Sequence, residues 1–264
     1  MEVHHHPHIE KKSFKEYLLE GLMIFLAVTM GFIAENIREH IGDRSKEKEY
    51  IINIKKDLKE DITNLDLWLS AMKGTIRDMD TLVSLLANPG KVDRGNDLYY
   101  LARLSTRKKL FEQNDNTLVD LKSSGNFRLI RNKEVISKLI NFEKFKVRYL
   151  KLDEVATSEA ELMYPLIGNL FDATVFTKMF TSSADTSVST EHDFAESSKR
   201  FLQKPTGNPQ LRNTNPDVIN QLMYNEIQVR GTLEGELRIL TIQKQEATEL
   251  ILLIDKEYHL QNEY

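Results

Sequence analysis

Residues 54–86 read IKKDLKEDITNLDLWLSAMKGTIRDMDTLVSLL. Apolar side chains recur at Ile54, Leu58, Ile62, Leu65, Leu69, Met72, Ile76, Met79, Val83 and Leu86, in alternating steps of four and three. Such steps put all ten on one stripe of an α-helix, whereas a strand needs steps of two. The stripe lasts more than four heptads, the pattern of a helix that buries one long seam against other helices. Ala87-Asn88-Pro89-Gly90 ends it by turn chemistry. Charges of both signs fill the other faces, and solvation is their expected role. Trp68, the sole tryptophan, sits beside the seam and is expected to anchor the core or its edge.

Upstream, residues 21–34 (GLMIFLAVTMGFIA) carry no charge. With Tyr17, Leu18, Leu19 and Ile37 the apolar window reaches about 20 residues, roughly 30 Å of helix, enough to cross hydrocarbon. Ser13-Phe14-Lys15-Glu16 has the form of a capping box, so the helix is expected to start at Phe14. A cleaved signal peptide or a soluble core helix has the same general composition. However, Glu35-Asn36-Ile37-Arg38 stands where a small-residue cleavage site belongs, and the helical pattern continues through it. A transmembrane helix over residues 13–41 is therefore expected. Within it Ala27 and Gly31 form a small-xxx-small pair that lets helices approach closely. Glu20 and Glu35 mark the two edges, where interfacial placement is expected and an ion-pathway role is the alternative.

The remainder, residues 42–264, reads as a soluble helical domain. A short helix is expected over residues 96–105, then one from Asn116 to Ser124 with Gly125 in the left-handed position after it. Asn132 caps another, with Val135, Ile136, Leu139 and Ile140 on its apolar face, continuing towards Met163. Residues 174–215 turn to Ser, Thr, Asp, Asn and Pro and read as an exposed excursion or partner-binding loop. Asn215-Pro216-Asp217 restarts a long final helix through Leu222, Val229, Leu233, Leu240, Ala247, Ile251, Ile254 and Tyr258. Glu226, Gly235 and Lys244 break its stripe. The fold class is all-α: one N-terminal transmembrane helix followed by a long-helix antiparallel bundle or a coiled-coil-like domain.

Composition narrows the chemistry. The 264 residues hold no Cys, which removes disulfides, thiolate metal sites and a Cys nucleophile. A net charge of −4 with interspersed signs leaves no nucleic-acid footprint. Only 11 Gly and 6 Pro argue against a turn-rich sandwich or barrel. No phosphate-binding glycine loop, HExxH or GxSxG is present, so no catalytic or organic-cofactor residue is assigned.

The order of an apolar helix, then EKEYIINIKKDLKEDITNL, then TLVDLKSSGNFRLIRNKEVISKLINFEKF resembles a group of uncharacterised single-pass membrane proteins of Bacteroidetes-type bacteria. The resemblance spans most of the chain outside the Ser/Thr-rich stretch, and implies a membrane helix followed by a helical domain. It transfers no catalytic residue, and it implies that the opening MEVHHHPHIEKK is native.

In that tail, residues 1–12, the candidate metal ligands are His4, His5, His6 and His8, with zinc, nickel or copper as the fitting ion. Neighbouring side chains of an extended tail meet one ion poorly, so two or three ligands per chain, completed by other copies, is the expected arrangement. On the chain as given, the dozen residues before the helix leave no room for an output domain. The expected protein is non-enzymatic and anchored in the bacterial inner membrane. Its N-terminus is expected in the cytoplasm and its helical domain outside it. It self-associates as a homo-oligomer and presents its domain to a ligand or another envelope protein. The alternatives are an oligomeric channel with Glu20, Ala27, Gly31 and Glu35 on a shared axis, or metal binding by the tail.

Overall fold

The computed structural model describes residues 13–88, 93–107, 111–180 and 202–260, and the regular elements among them are helical, with no strand. They are α1 (Phe14–Leu86), α2 (Gly95–Ser105), α3 (Asn116–Ser123), α4 (Lys133–Glu161), α5 (Met163–Leu170), α6 (Ala173–Thr177) and α7 (Pro216–Tyr258), with a 3₁₀ turn at Asn126–Leu129.

Helix α1 is a single element of 73 residues, about 110 Å at 1.5 Å per residue. It begins at Phe14, where the Ser13 amide donates to the Glu16 carboxylate at 2.8 Å. It passes Gly42 without interruption, so the apolar run and the seam are one helix. Residues 14–46 are exposed apart from Thr29 and Asp43, which are half-buried; the packed body begins at Glu47.

In the body α7 lies along both α1 and α4, with opposite chain sense. Against α1, Lys55 meets Asp255, Lys244 meets Asp66 and Arg230 meets Asp80, each at 2.5 Å. Against α4, the Asn132 amide donates to Glu257 at 2.8 Å and the Thr232 hydroxyl to Glu159 at 2.7 Å. The core has three parts along α1. One surrounds Ile51, Ile54 and Leu58; the middle one holds Leu65, Leu69, Met72, Phe111, Tyr149 and Leu240; the third gathers Leu82 and Leu86 with α2, α5 and the start of α7. Of the ten seam residues, Ile62 and Val83 are only half-buried, while Asp61 and Leu82 turn fully inward. A strict heptad stripe drifts round an ideal helix by about 20° per heptad, so the buried face migrates by one position.

Not all the charges on α1 are solvated as expected. Glu47 is buried and accepts the Arg131 amide and the Tyr258 hydroxyl, both at 2.8 Å. Lys55, also buried, donates to the Leu260 carbonyl at 3.1 Å. Asp61 accepts the Asn114 amide at 2.7 Å, and Asp57 accepts that of Thr117 at 3.2 Å. Segments laid against α1 bring backbone groups that need partners once water leaves, and these side chains supply them.

Element ends follow local chemistry. Gly125 has φ +70° after α3, and the Asn132 side chain accepts the Glu134 and Val135 amides at the start of α4. Pro165 has no amide hydrogen for the Glu161 carbonyl, which is where α4 gives way to α5. The described flanks of the polar excursion are fixed. Phe180 and Leu202 form an isolated antiparallel bridge, and the Tyr99 hydroxyl donates to Gln210 at 2.9 Å. A Cβ on Gly95 would stand 2.0 Å from the Pro209 carbonyl oxygen, so only glycine lets that strand of chain lie on α2.

Candidate functional site

Two features of the described residues are left unexplained by folding alone. The first is the free part of α1. Its most apolar 18-residue window has a mean hydropathy of 2.0, and none of that window is buried within the chain. Fifteen large apolar side chains between Phe14 and Ile41 are exposed. At about 1.5 kcal/mol or more for each side chain that could be buried, leaving them in water forgoes on the order of 20 kcal/mol. A typical fold has a net stability of only about 5–15 kcal/mol. The helix is therefore long and apolar enough to cross a membrane. Its one interior hydroxyl is satisfied locally, since Thr29 donates to the Phe25 carbonyl at 2.8 Å.

The second is a narrow, open pocket between α1, α4, α7 and the end of α2, with about 60 Å³ accessible to a water-sized guest. Helix α1 lines it with Trp68, Ala71, Met72 and Thr75, α4 with Asp153, Ala156 and Ala160, and α7 with Val229, Leu233 and Glu236. Each set repeats at three, four or seven residues, so one face of each helix points inward. The space exists because Ala71, Ala156 and Ala160 stand where larger side chains would close it. Ser105 and Arg107 complete the wall beyond α2.

The polar groups of this cavity are unusual for an interior. Glu236 is 1% exposed and Asp153 7%. The Trp68 indole N–H is buried and donates to nothing, although its ring packs on Phe111 with centroids 6.3 Å apart. Tyr149 supports that aromatic from below, its hydroxyl accepting the Phe111 amide at 2.8 Å. Burial first, then the charges of Glu236 and Asp153, push the Tyr149 hydroxyl well above its ordinary range, so it stays protonated. Burial and then the charge of Arg103 hold the Arg107 guanidinium below its usual value.

Against family models, curated proteins and solved structures the chain has no match. Geometry alone carries the reading of the site.

Glu20, Ala27, Gly31 and Glu35 all lie on the free part of α1, within about 80° of one another around the axis at 100° per residue. Glu35 is not an isolated charge, because Arg38 donates to it at 2.5 Å one turn on. A Cβ on Gly31 would meet nothing within 4 Å, so no contact inside the chain requires glycine there. The tail histidines His4, His5, His6 and His8 lie outside the described residues, as do residues 181–201 of the polar excursion. Among the described residues no group of three or more His, Asp or Glu could hold a metal ion.

Sequence reading placed Trp68 correctly beside the seam, but Arg107, Asp153 and Glu236 went unnoticed. A signal was present in α7: Glu236 falls seven residues after Val229 and four before Leu240, an acidic residue on an apolar stripe.

Proposed function

We propose that this is a non-enzymatic protein anchored in the bacterial inner membrane by the free part of α1. Its N-terminus lies on the cytoplasmic side and its helical bundle, α1 with α4 and α7, on the other. The observation that carries the reading is the bare apolar helix running unbroken into the packed body. Leu18 to Ile37 spans about 30 Å, the thickness of hydrocarbon. The Ser13 cap and the Glu35–Arg38 pair then fall in the two interfacial layers, where charge is tolerated. The chains self-associate through this helix, and each displays its bundle to a ligand or another envelope protein. Such a chain is of the single-pass kind that its sequence resembles.

The absence of cysteine makes the test direct. Single replacements Ser13→Cys and Ser45→Cys are labelled in whole spheroplasts with a membrane-impermeant maleimide. Ser45→Cys is expected to label at once and Ser13→Cys only after permeabilisation; the reverse order would invert the orientation. Recovery of the full chain in the supernatant of an alkaline carbonate wash would refute the span. Native mass spectrometry from maltoside micelles should give an oligomer, and a monomer there would remove self-association.

A further inference from the structure

A separate pocket of about 250 Å³ lies between the segment that follows α2 and the facing sides of α4 and α7. Phe111 and Gln113 form one wall, Tyr149 and Leu150 of α4 the second, and Gln243 of α7 the third. These walls are fixed by the fold. The Phe111 amide donates to the Tyr149 hydroxyl at 2.8 Å and the Asn114 amide to Asp61 at 2.7 Å, which pins the segment between them across the gap. The Phe111 and Tyr149 rings stand at 74° with centroids 6.3 Å apart, so the pocket has an aromatic corner.

Gln243 is the residue that packing does not explain. It is 1% exposed, three residues after Leu240 and four before Ala247, both fully buried, so an amide sits on the packed stripe of α7. Its Nε2 donates to Gln113 Oε1 at 2.8 Å, while its own Oε1 is buried and has no donor. A buried oxygen left without a donor is a cost that Leu at the same position would not carry. Among the described residues the Gln113 amide nitrogen has no acceptor. The linked pair therefore offers the pocket one acceptor and one donor. Exchanging oxygen and nitrogen in both amides reverses the link and still offers one of each.

The complement of that pair is a group carrying N–H and C=O together. Charge is disfavoured on such a guest. Lys146, the cation of the lining, is already tied to Asp115, so an anion would meet Glu112 with no cation to hold it. A cation would gain only the exposed Glu112 and would leave the Gln113 nitrogen unmatched. An apolar cavity of about 150 Å³ already holds benzene, so one six-membered ring with a polar edge fits here.

We propose that this pocket binds a small uncharged planar ring with an N–H beside a C=O, a cyclic amide of the pyridone and pyrimidinone kind. Its N–H donates to Gln243 Oε1, its C=O accepts from Gln113 Nε2, and its face lies on the corner made by Phe111 and Tyr149. Such a site is independent of membrane anchoring, because binding is measured whether or not the helix spans.

The full-length protein in maltoside micelles is titrated calorimetrically with uracil and 2-pyridone. The matched control is 2-pyranone, the same ring as 2-pyridone with oxygen in place of N–H. At least one of the two amides is expected to bind with Kd below about 1 mM, and 2-pyranone at least about ten-fold more weakly. Gln243→Leu removes the buried amide without leaving a hole, and should weaken the amide by at least about ten-fold while the circular dichroism stays that of the wild type. Leu150→Trp fills the pocket from a half-exposed site on α4; it should abolish binding, and it serves if Gln243→Leu fails to fold. The proposal is overturned if neither amide binds up to about 10 mM. It is equally overturned if 2-pyranone binds as tightly as the amide, or if either folded variant binds normally.

Discussion

Replacing Asp61 by Asn should stabilise the protein at pH 8 and change little at pH 4. Asp61 is 1% exposed, one of its oxygens takes the Asn114 amide at 2.7 Å, and the other, also buried, has no donor. Burial, opposed by that amide and helped by the charges of Asp57, Asp115 and Glu60, pushes its pKa up to about 7. In the unfolded chain an Asp titrates near 4. Below about pH 4 both states hold the proton and the group is neutral to stability. From about pH 4 to 7 the unfolded chain releases it while the folded one does not, so stability falls as pH rises. Above about pH 7 the folded state carries a buried charge and the full cost persists. Three pH units at 1.36 kcal/mol each give about 4 kcal/mol, or nearer 2 once water reaching the loop is allowed for. Asn keeps the acceptor for Asn114, turns its amide towards carboxylate neighbours and cannot ionise. Urea unfolding followed by circular dichroism, wild type against Asp61→Asn in maltoside at pH 4 to 8, should show a gap that opens with pH. A gap of one size at every pH, or a variant less stable at pH 8, would refute the reasoning.

Glu226 is fully buried, and burial, against the Ser105 hydroxyl, pushes its pKa up to about 7 as well. Glu226→Gln should therefore remove a second part of the same pH-dependent loss, seen as a flatter profile of melting temperature between pH 4 and 7. Gly95→Ala forces a methyl group to within 2.0 Å of the Pro209 carbonyl oxygen, and should cost about 1–3 kcal/mol in the same urea assay. Leu65→Ala empties a site that is 0% exposed at the centre of α1, and should cost about 2–5 kcal/mol. Asn132→Ala strips the acceptor from the Glu134 and Val135 amides and should cost about 1 kcal/mol, with hydrogen exchange accelerated in the first turn of α4.

Sequence and structure agree where a local rule suffices. The start at Phe14, the stop near Leu86, the left-handed Gly125, the Asn132 and Asn215 caps and the final helix each depend on a few neighbouring residues, and each was legible. The helical class was legible too, because periodicity of three and four belongs to no other element. What escaped was set by segments distant in sequence. Glu47, Lys55 and Asp61 look like solvated charges until residues 111–131 and the end of α7 are laid over them. The cavity was invisible for the same reason: Trp68, Arg107, Asp153 and Glu236 lie up to 168 positions apart, and only packing of α4 and α7 on α1 makes them one wall. Of the excursion at residues 174–215 only the flanks are described, and their hydrogen bonds to α2 and α5 were likewise set by segments distant in sequence.

The unbroken passage of α1 past Gly42 has a consequence for twist. With no joint between the apolar segment and the body, the two share a fixed azimuth as well as a fixed separation. One extra residue inserted between 42 and 46 turns the whole upper rod by about 100° and lifts it by only about 1.5 Å. Seven extra residues nearly restore the angle while lengthening the rod by about 10 Å. The number of residues inserted thus sets angle and height almost independently, because the angle wraps round each turn while the height only grows. Any such turn is carried by one continuous helix to the first fully buried seam residue, Ile51.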